Sequence, residues 1–203
     1  MKSREDFYND LAQILDDYLE VFPEERDQLS ILLGQVETSD PMIESRKNMT
    51  GHLTASGVLL NTKRDSALLI YHNFLKIWLQ PGGHIDRGEH PTKGAIREFV
   101  EETGIAEVKL NKWHRANPIP IDVDTHLIPP NPSKFEGEHY HHDFQYLLEI
   151  KAKSNKEAEQ ILTALKLDKS EVSGYKWVPL NDLRDGDWDP RLRRVARKLQ
   201  ELL

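Results

Sequence analysis

The chain has 203 residues, 38% of them hydrophobic and 30% charged, enough at this length to bury roughly 70% of its unfolded surface around a real core. With 27 Lys and Arg against 34 Asp and Glu it is acidic, which works against a nucleic-acid polymer as partner, and no apolar run reaches the roughly 18 residues of a membrane span. Cysteine is absent, which excludes disulfides, thiolate metal sites and cysteine nucleophiles; without an apolar secretory segment after Met1, a cytoplasmic location is expected.

The charge is unevenly placed: residues 1–50 hold 5 basic and 12 acidic side chains, whereas residues 51–203 hold 22 of each. Residues 3–34 read as a helical hairpin, with Ser3 as N-cap and Phe7, Leu11, Ile14, Leu15, Tyr18 and Phe22 at helical spacing. Pro23 suits the start of its second helix and Gly34 the stop. Polar residues 35–50, with Asp40-Pro41, form a linker or a short third helix. A helical extension over 1–50 therefore precedes a domain over 51–203. The extension's apolar stripe must be covered, either by the rest of the chain or by a second copy in a homodimer.

From residue 51 the texture is strand-like: 53–60, 67–72 and 77–80 are short apolar runs. Pro81-Gly82-Gly83 opens a loop to about residue 91, and a helix follows over 92–103. Further strands are expected near 107–116, 119–128, 142–151 and 172–179, with a helix over 155–166. A last helix is capped by Asp189 and opened by Pro190, with Leu192, Val195, Ala196, Leu199, Leu202 and Leu203 as its buried stripe. Its basic residues Arg191, Arg193, Arg194, Arg197 and Lys198 read as a solvated face or as a contact for the acidic extension. The mixture predicts an α/β sandwich.

Chemistry concentrates in residues 82–105. Glu98, Glu101 and Glu102 stand at i, i+3 and i+4, so three like charges share one helix face. Such a face suits a divalent cation with hard oxygen ligands, Mg²⁺ or Mn²⁺. Gly83, five residues, Glu89, seven residues, then Arg97-Glu98-Phe99-Val100-Glu101-Glu102-Thr103-Gly104-Ile105 resembles the Nudix box at every specified position, Phe99 being the loosest fit. The strings TGHLTASGVLL, WLQPGGHID and HYHHDFQYLL look like a bacterial-type subgroup of that family.

The resemblance implies an α/β/α sandwich with a mixed sheet, and metal-dependent hydrolysis of a nucleoside diphosphate linked to another group by water attack on phosphorus. It implies Glu98, Glu101, Glu102 and the Gly82 carbonyl as metal ligands, and Glu98 or Glu102 as general base. Arg97 and Glu89 become the buttressing pair, and Gly83 and Gly104 the turns that support the site. The alternative function is a non-catalytic nucleotide or nucleotide-sugar sensor; the intact carboxylates favour the enzyme. Two alternating polar rows, Asp122-x-Asp124-x-His126 and His139-x-His141-x-Asp143, are either exposed strand faces or a pocket wall. His84, Asp124, His126, His139, His141 and Asp143 are the candidate substrate contacts. The row at 139–143 also has the donors for a softer transition metal. Trp78, Trp113, Phe135, Tyr140 and Trp177 read as packing residues before stacking platforms; Glu171, on the loop before the last strand, reads as a surface carboxylate before one that approaches the site. The loop 129–138 is the expected substrate-selecting segment. The diphosphate cleaved stays open.

Overall fold

A computed structural model describes residues 3–132 and 136–202. The first helix, α1 (Arg4–Val21), begins at a capping box in which Ser3 Oγ accepts from Asp6 N–H and Asp6 accepts from Ser3 N–H, both at 3.0 Å. Past Phe22 the chain makes two 3₁₀ turns, Pro23–Glu25 and Asp27–Leu29, before α2 (Ser30–Glu37). The expected second helix thus starts later than Pro23 and runs through Gly34, because Pro23 fixes a tight turn before helical hydrogen bonding is established. Residues 38–50 contain turns and no helix.

Two sheets follow. The larger has the order β4 (Gly82–His84), β1 (Gly51–Leu59), β7 (His139–Ile150), β5 (Val108–Leu110), with β6 (Asp122–Ile128) also paired to β7. β1 and β7 are parallel and the other pairs antiparallel, so the sheet is mixed. The smaller sheet is β3 (Ile77–Leu79), β2 (Ser66–His72), β8 (Val172–Pro179), antiparallel throughout. Helices α3 (Pro91–Thr103), α4 (Asn155–Leu162), α5 (Leu180–Asp185) and α6 (Pro190–Leu202) complete the α/β sandwich. The strand expected over 107–116 is shorter: after β5 the Asn111 side chain accepts from Trp113 N–H at 2.9 Å and starts a 3₁₀ turn, Lys112–Arg115. Likewise α4 ends at Leu162, and α5 lies where no helix was expected, because Leu180 and Leu183 are its main buried anchors.

Alternation along β1 and β7 sends their side chains to two different places. Leu53 and Ala55 of β1 and Phe144 and Tyr146 of β7 pack with Phe7, Leu11, Ile14, Leu15, Tyr18, Leu29 and Leu32 of the N-terminal segment. The extension's apolar stripe is therefore covered within the chain. Val58 and Leu147, on the opposite face, pack with Leu192, Val195, Ala196 and Leu199 of α6.

The basic C-terminal helix is split. Arg193 and Arg197 are exposed, but Lys198 is buried, with Nζ at 2.6 Å from both Tyr18 Oη and Glu25 Oε1 and 2.8 Å from Asp122 Oδ1. Arg194 forks onto Asp122 (2.8 and 2.7 Å) and reaches Asp124 at 2.7 Å. Tyr18 donates to Glu25 and accepts from Val123 N–H. The acidic extension and the basic helix are joined through this buried network.

Candidate active site

The Gly82-Gly83 pair lets strand β4 lie against both β1 and α3. A Cβ on Gly82 would stand 2.2 Å from Ser56 Oγ and 2.7 Å from the Ala55 carbonyl, and one on Gly83 would stand 2.5 Å from Glu98 Oε2. Glycine is needed here for close approach rather than for an unusual backbone angle. At the far end of α3, Gly104 adopts φ +69° and closes the helix with N–H to the Val100 carbonyl at 2.8 Å.

Arg97 organises the loop over this helix. Its guanidinium donates to Glu89 at 3.1 and 2.8 Å, to Glu98 at 2.7 Å, to Glu101 at 3.3 Å and to the His84 carbonyl at 2.7 Å. Burial would raise Glu89, but these bonds with Arg97 outweigh it and hold the carboxyl below its ordinary range. Glu102 is 2% exposed and accepts from Gly82 N–H at 2.8 Å. Burial pushes Glu102 up to about 8, and Glu98 and Glu171 add to the rise. Burial also pushes Glu98 up, against the pull of Arg97. Glu101 is the outlier, its carboxylate being 57% exposed. Gly82 meets Glu102 through its N–H.

These groups border a cavity of about 480 Å³, lined on this side by Gly82, Gly83, Glu98, Glu101 and Glu171. Glu171, on the loop before β8, lines this cavity with Glu98 and Glu101, and its charge adds to the rise of Glu98 and Glu102. Trp78 is half-buried and borders the same space with Phe74, which is 45% exposed. Trp78 thus contributes to the cavity as well as to packing. Lys176 Nζ lies 4.0 Å from its ring centre. Trp113 and Trp177 only pack against the core, Tyr140 is half-buried, and Phe135 falls outside the described residues.

The two polar rows meet on one face of the larger sheet, because β6 and β7 pair Asp124 with Asp143 and His126 with His141. His84, Asp124, His126, His139, His141 and Asp143 all border the cavity. Asp122 does not; it is turned into the Lys198–Arg194 network. Asp124 and Asp143 face each other as like charges, and their surroundings push them apart. Burial raises Asp143, which accepts from Ser56 Oγ at 2.9 and 2.8 Å and from Thr54 Oγ1 at 3.1 Å. Burial would raise Asp124 too, but His126 and Arg194 bring it down to about 2. His142 points to the other face and bonds Gln35 Oε1 at 2.8 Å.

Sequence reasoning missed two residues at the cavity rim and a buried histidine behind it. His52 sits inside an apolar-looking strand. Glu44 and Arg46, from the 35–50 segment, reach the rim, where Glu44 accepts from Gly88 N–H and Arg46 approaches His84 Nδ1 at 2.8 Å. The signal lay in the charge of that segment, which the sequence alone could not direct to a particular surface. Of the expected selecting segment 129–138, Asn131 and Glu136 border the cavity.

A family model described as NUDIX domain matches residues 50–199. A Lactococcus lactis subsp. cremoris protein named "Probable DHNTP pyrophosphohydrolase" is 33% identical over 150 residues, 74% of this chain and 85% of that one. The Bos taurus m7GpppN-mRNA hydrolase NUDT17 is 31% identical over 121 residues, which are 59% of this chain and 36% of that longer protein. Among solved structures, a NUDIX family hydrolase from Clostridium perfringens matches with 25% identity and a TM-score of 0.51, covering 75% of this chain and 98% of that one. A C. elegans Ap4A hydrolase matches in fold, with 18% identity and a TM-score of 0.51 over 73% of this chain and 95% of that one.

Proposed function

The chain belongs to the NUDIX family and is a Nudix-type pyrophosphohydrolase, and from that premise we propose that it cleaves a diphosphate linkage between a nucleoside-type group and a second group, using Mg²⁺ or Mn²⁺. The observation that carries this reading is the convergence of Glu98 and Glu102 on Gly82-Gly83, with Glu98 and Glu171 lining the same cavity. The donor set is all oxygen, and burial penalises charge on both Glu98 and Glu102, a cost that Arg97 offsets at Glu98 and that a bound cation would offset at both. That chemistry fits a hard divalent cation and suits neither a soft metal nor an organic cofactor.

Glu98, Glu101 and Glu102, with the Gly82 carbonyl, are the residues that would hold the ion, and Glu171 is a further oxygen donor within reach of the same space. When bound, a divalent ion lowers the pKa of water and neutralises charge gathering on phosphoryl oxygens. The protein's own part is positioning. Arg97 ties Glu98 and the loop carboxylate Glu89 into one rigid unit, so the carboxylates are oriented before substrate arrives. Glu98 and Glu102 are the two candidate acceptors for the proton of the attacking water. Water oxygen bonds to phosphorus, the bridging P–O bond breaks, and the leaving phosphate departs toward solvent through the cavity mouth. Trp78 and Phe74 offer aromatic surface to a flat base or pterin, and Arg46 a cation to a phosphate. Asp143, His126 and His139 are polar groups for a sugar or second phosphate. We place this activity on small molecules in the cytoplasm.

The test is a panel of ADP-ribose, dinucleotide polyphosphates, NADH, damaged nucleotides, nucleotide sugars and a pterin triphosphate, read by phosphate release with Mg²⁺ or Mn²⁺. Turnover of at least one compound that stops on chelation is expected. Turnover that is indifferent to chelator and to loss of Glu98 and Glu102 would overturn the reading.

A further inference from the structure

Five imidazoles gather beside the carboxylate site, and the proposed hydrolysis uses none of them as a metal ligand. Strand pairing brings them together. His52 of β1 is the partner of His141 of β7, which is the partner of His126 of β6, so the three form a row across the sheet. His84 on β4 comes beside them because its partner on β1 is Thr54, one residue along the same face. His139 lies two residues before His141, on that face again. Ring centres are 4.7 Å apart for His52–His141, 4.9 Å for His52–His84, 5.0 Å for His84–His141 and 5.1 Å for His139–His141.

One ring nitrogen from each of His52, His84 and His141 lies within 4.8 Å of the other two. We propose that these three side chains form a second metal site, separate from the carboxylates, for a borderline divalent transition ion of the Zn²⁺ class. Tetrahedral coordination at about 2.0–2.1 Å would need nitrogens about 3.3 Å apart, a closure within reach of small ring rotations. The ligands are neutral imidazoles, which select Zn²⁺-type ions over Mg²⁺, while the box carboxylates do the reverse.

Two observations beyond proximity point to an ion. His52 is buried, and its Nε2 is, with Gln145 Oε1, one of two buried side-chain polar atoms among the described residues with no hydrogen-bond partner. A buried polar atom in that state carries an uncompensated desolvation penalty, which a metal bond would offset. At His52 the partner of the opposite ring nitrogen is one that metal-bound histidines use, a backbone carbonyl. His52 Nδ1 meets the Asn48 carbonyl at 3.2 Å and therefore carries the proton, which leaves the lone pair on Nε2. His139 Nδ1 donates to the Gly137 carbonyl at 2.7 Å, so its Nε2 accepts from His141 Nε2 at 3.2 Å and Nδ1 of His141 keeps its lone pair. His126 is held by Asp124 at 2.8 Å.

His84 and His141 border the cavity and His52 lies behind them. The open side of the ion therefore faces the cavity, where an anionic oxygen of the substrate can complete its coordination. Arg46 donates to His84 Nδ1 at 2.8 Å, and being exposed it can swing away or hold that oxygen in turn.

The test uses the full chain and Zn²⁺ alone. Isothermal titration should give a binding event that His52→Asn and His141→Asn each weaken by at least about 100-fold and that the Glu98→Gln/Glu102→Gln double variant leaves in place. Arg46→Gln should tighten it. X-ray absorption at the zinc edge of the unmodified protein, loaded with one equivalent, should show imidazole scattering, a readout that needs no variant to fold. An oxygen-only shell, uptake abolished by the glutamate changes and untouched by the histidine changes, or no zinc retained on dialysis would each overturn the proposal. None of these outcomes depends on whether the protein hydrolyses diphosphates.

Discussion

Replacing Lys198 by Met should destabilise the protein severely, because it removes the cation and keeps most of the stem. Lys198 Nζ sits 2.6 Å from Glu25, 2.8 Å from Asp122 and 2.6 Å from the Tyr18 hydroxyl, with the Phe22 ring centre 3.8 Å away. In the variant Asp122 keeps Arg194, but Glu25 is left with the neutral Tyr18 hydroxyl and, for a cation, that guanidinium at 3.8 Å. Stranding one partner of a buried pair costs about 3–5 kcal/mol. For a chain of this size each kcal/mol lowers Tm by about 2–4 °C, so a fall of about 6–20 °C is expected. Urea unfolding followed by far-UV circular dichroism gives the free energy directly. Adding Glu25→Gln should return part of the loss, since the stranded charge then disappears. A Lys198→Met variant within 1 kcal/mol of the parent, or one that Glu25→Gln only makes worse, would refute the argument that this network clasps the extension to the domain.

Glu102→Gln should lower turnover on whichever diphosphate proves active by at least about 100-fold, measured by phosphate release, with the folded state retained. Gly83→Ala should also cut turnover, since its methyl would meet Glu98 Oε2 at 2.5 Å, whereas Gly82→Ala should impair folding because its methyl would meet the Ala55 carbonyl at 2.7 Å; thermal melts of the two separate these outcomes. Arg46→Ala should raise KM and spare kcat if its cation only binds a substrate phosphate, as steady-state kinetics will show. Burial holds His52 down to about 4 and His142 to about 3, so both stay neutral in the native state at pH values where an unfolded imidazole charges. The unfolded chain then binds more protons, and stability present above pH 6.5 is lost as pH falls from there toward about 4, by about 2 kcal/mol per ring between pH 7 and pH 5. Urea midpoints that do not move over that range would contradict this.

The parts of the site that sequence could show were local. Glu98, Glu102 and Arg97 share one helix, and helical spacing alone puts them on one side. The β8 bounds and the Asp189 cap of α6, where Arg191 N–H donates to Asp189 at 2.9 Å, were equally legible. What stayed hidden depended on partners distant in the chain. Nothing local in the stretch TGHLTASG around His52 distinguishes a core histidine from one aligned with His141, because the register of β1 on β7 joins residues about ninety apart. Asp122 and Asp124 look equivalent by alternation, yet α6 claims the first and shares the second. For Lys198 the sequence left a solvated charge and a contact for the extension both open, because the carboxylates that bury it lie on the extension and on β6.

The parallel alignment of β1 with β7 also governs the order in which the molecule can be assembled. Synthesis delivers α1, with its apolar stripe, long before Val123, Phe144 and Tyr146, which cover it. Until β7 arrives, β1 has no neighbour on that flank, and the nascent stripe of α1 has only Leu29, Leu32, Ile43 and the first strand to rest on. Long-range closure of this kind slows folding and prolongs the exposure of sticky surface. The first fifty residues carry 12 acidic side chains against 5 basic ones, a like charge that opposes association of unfinished chains until α6 brings Lys198 and Arg194 to Glu25.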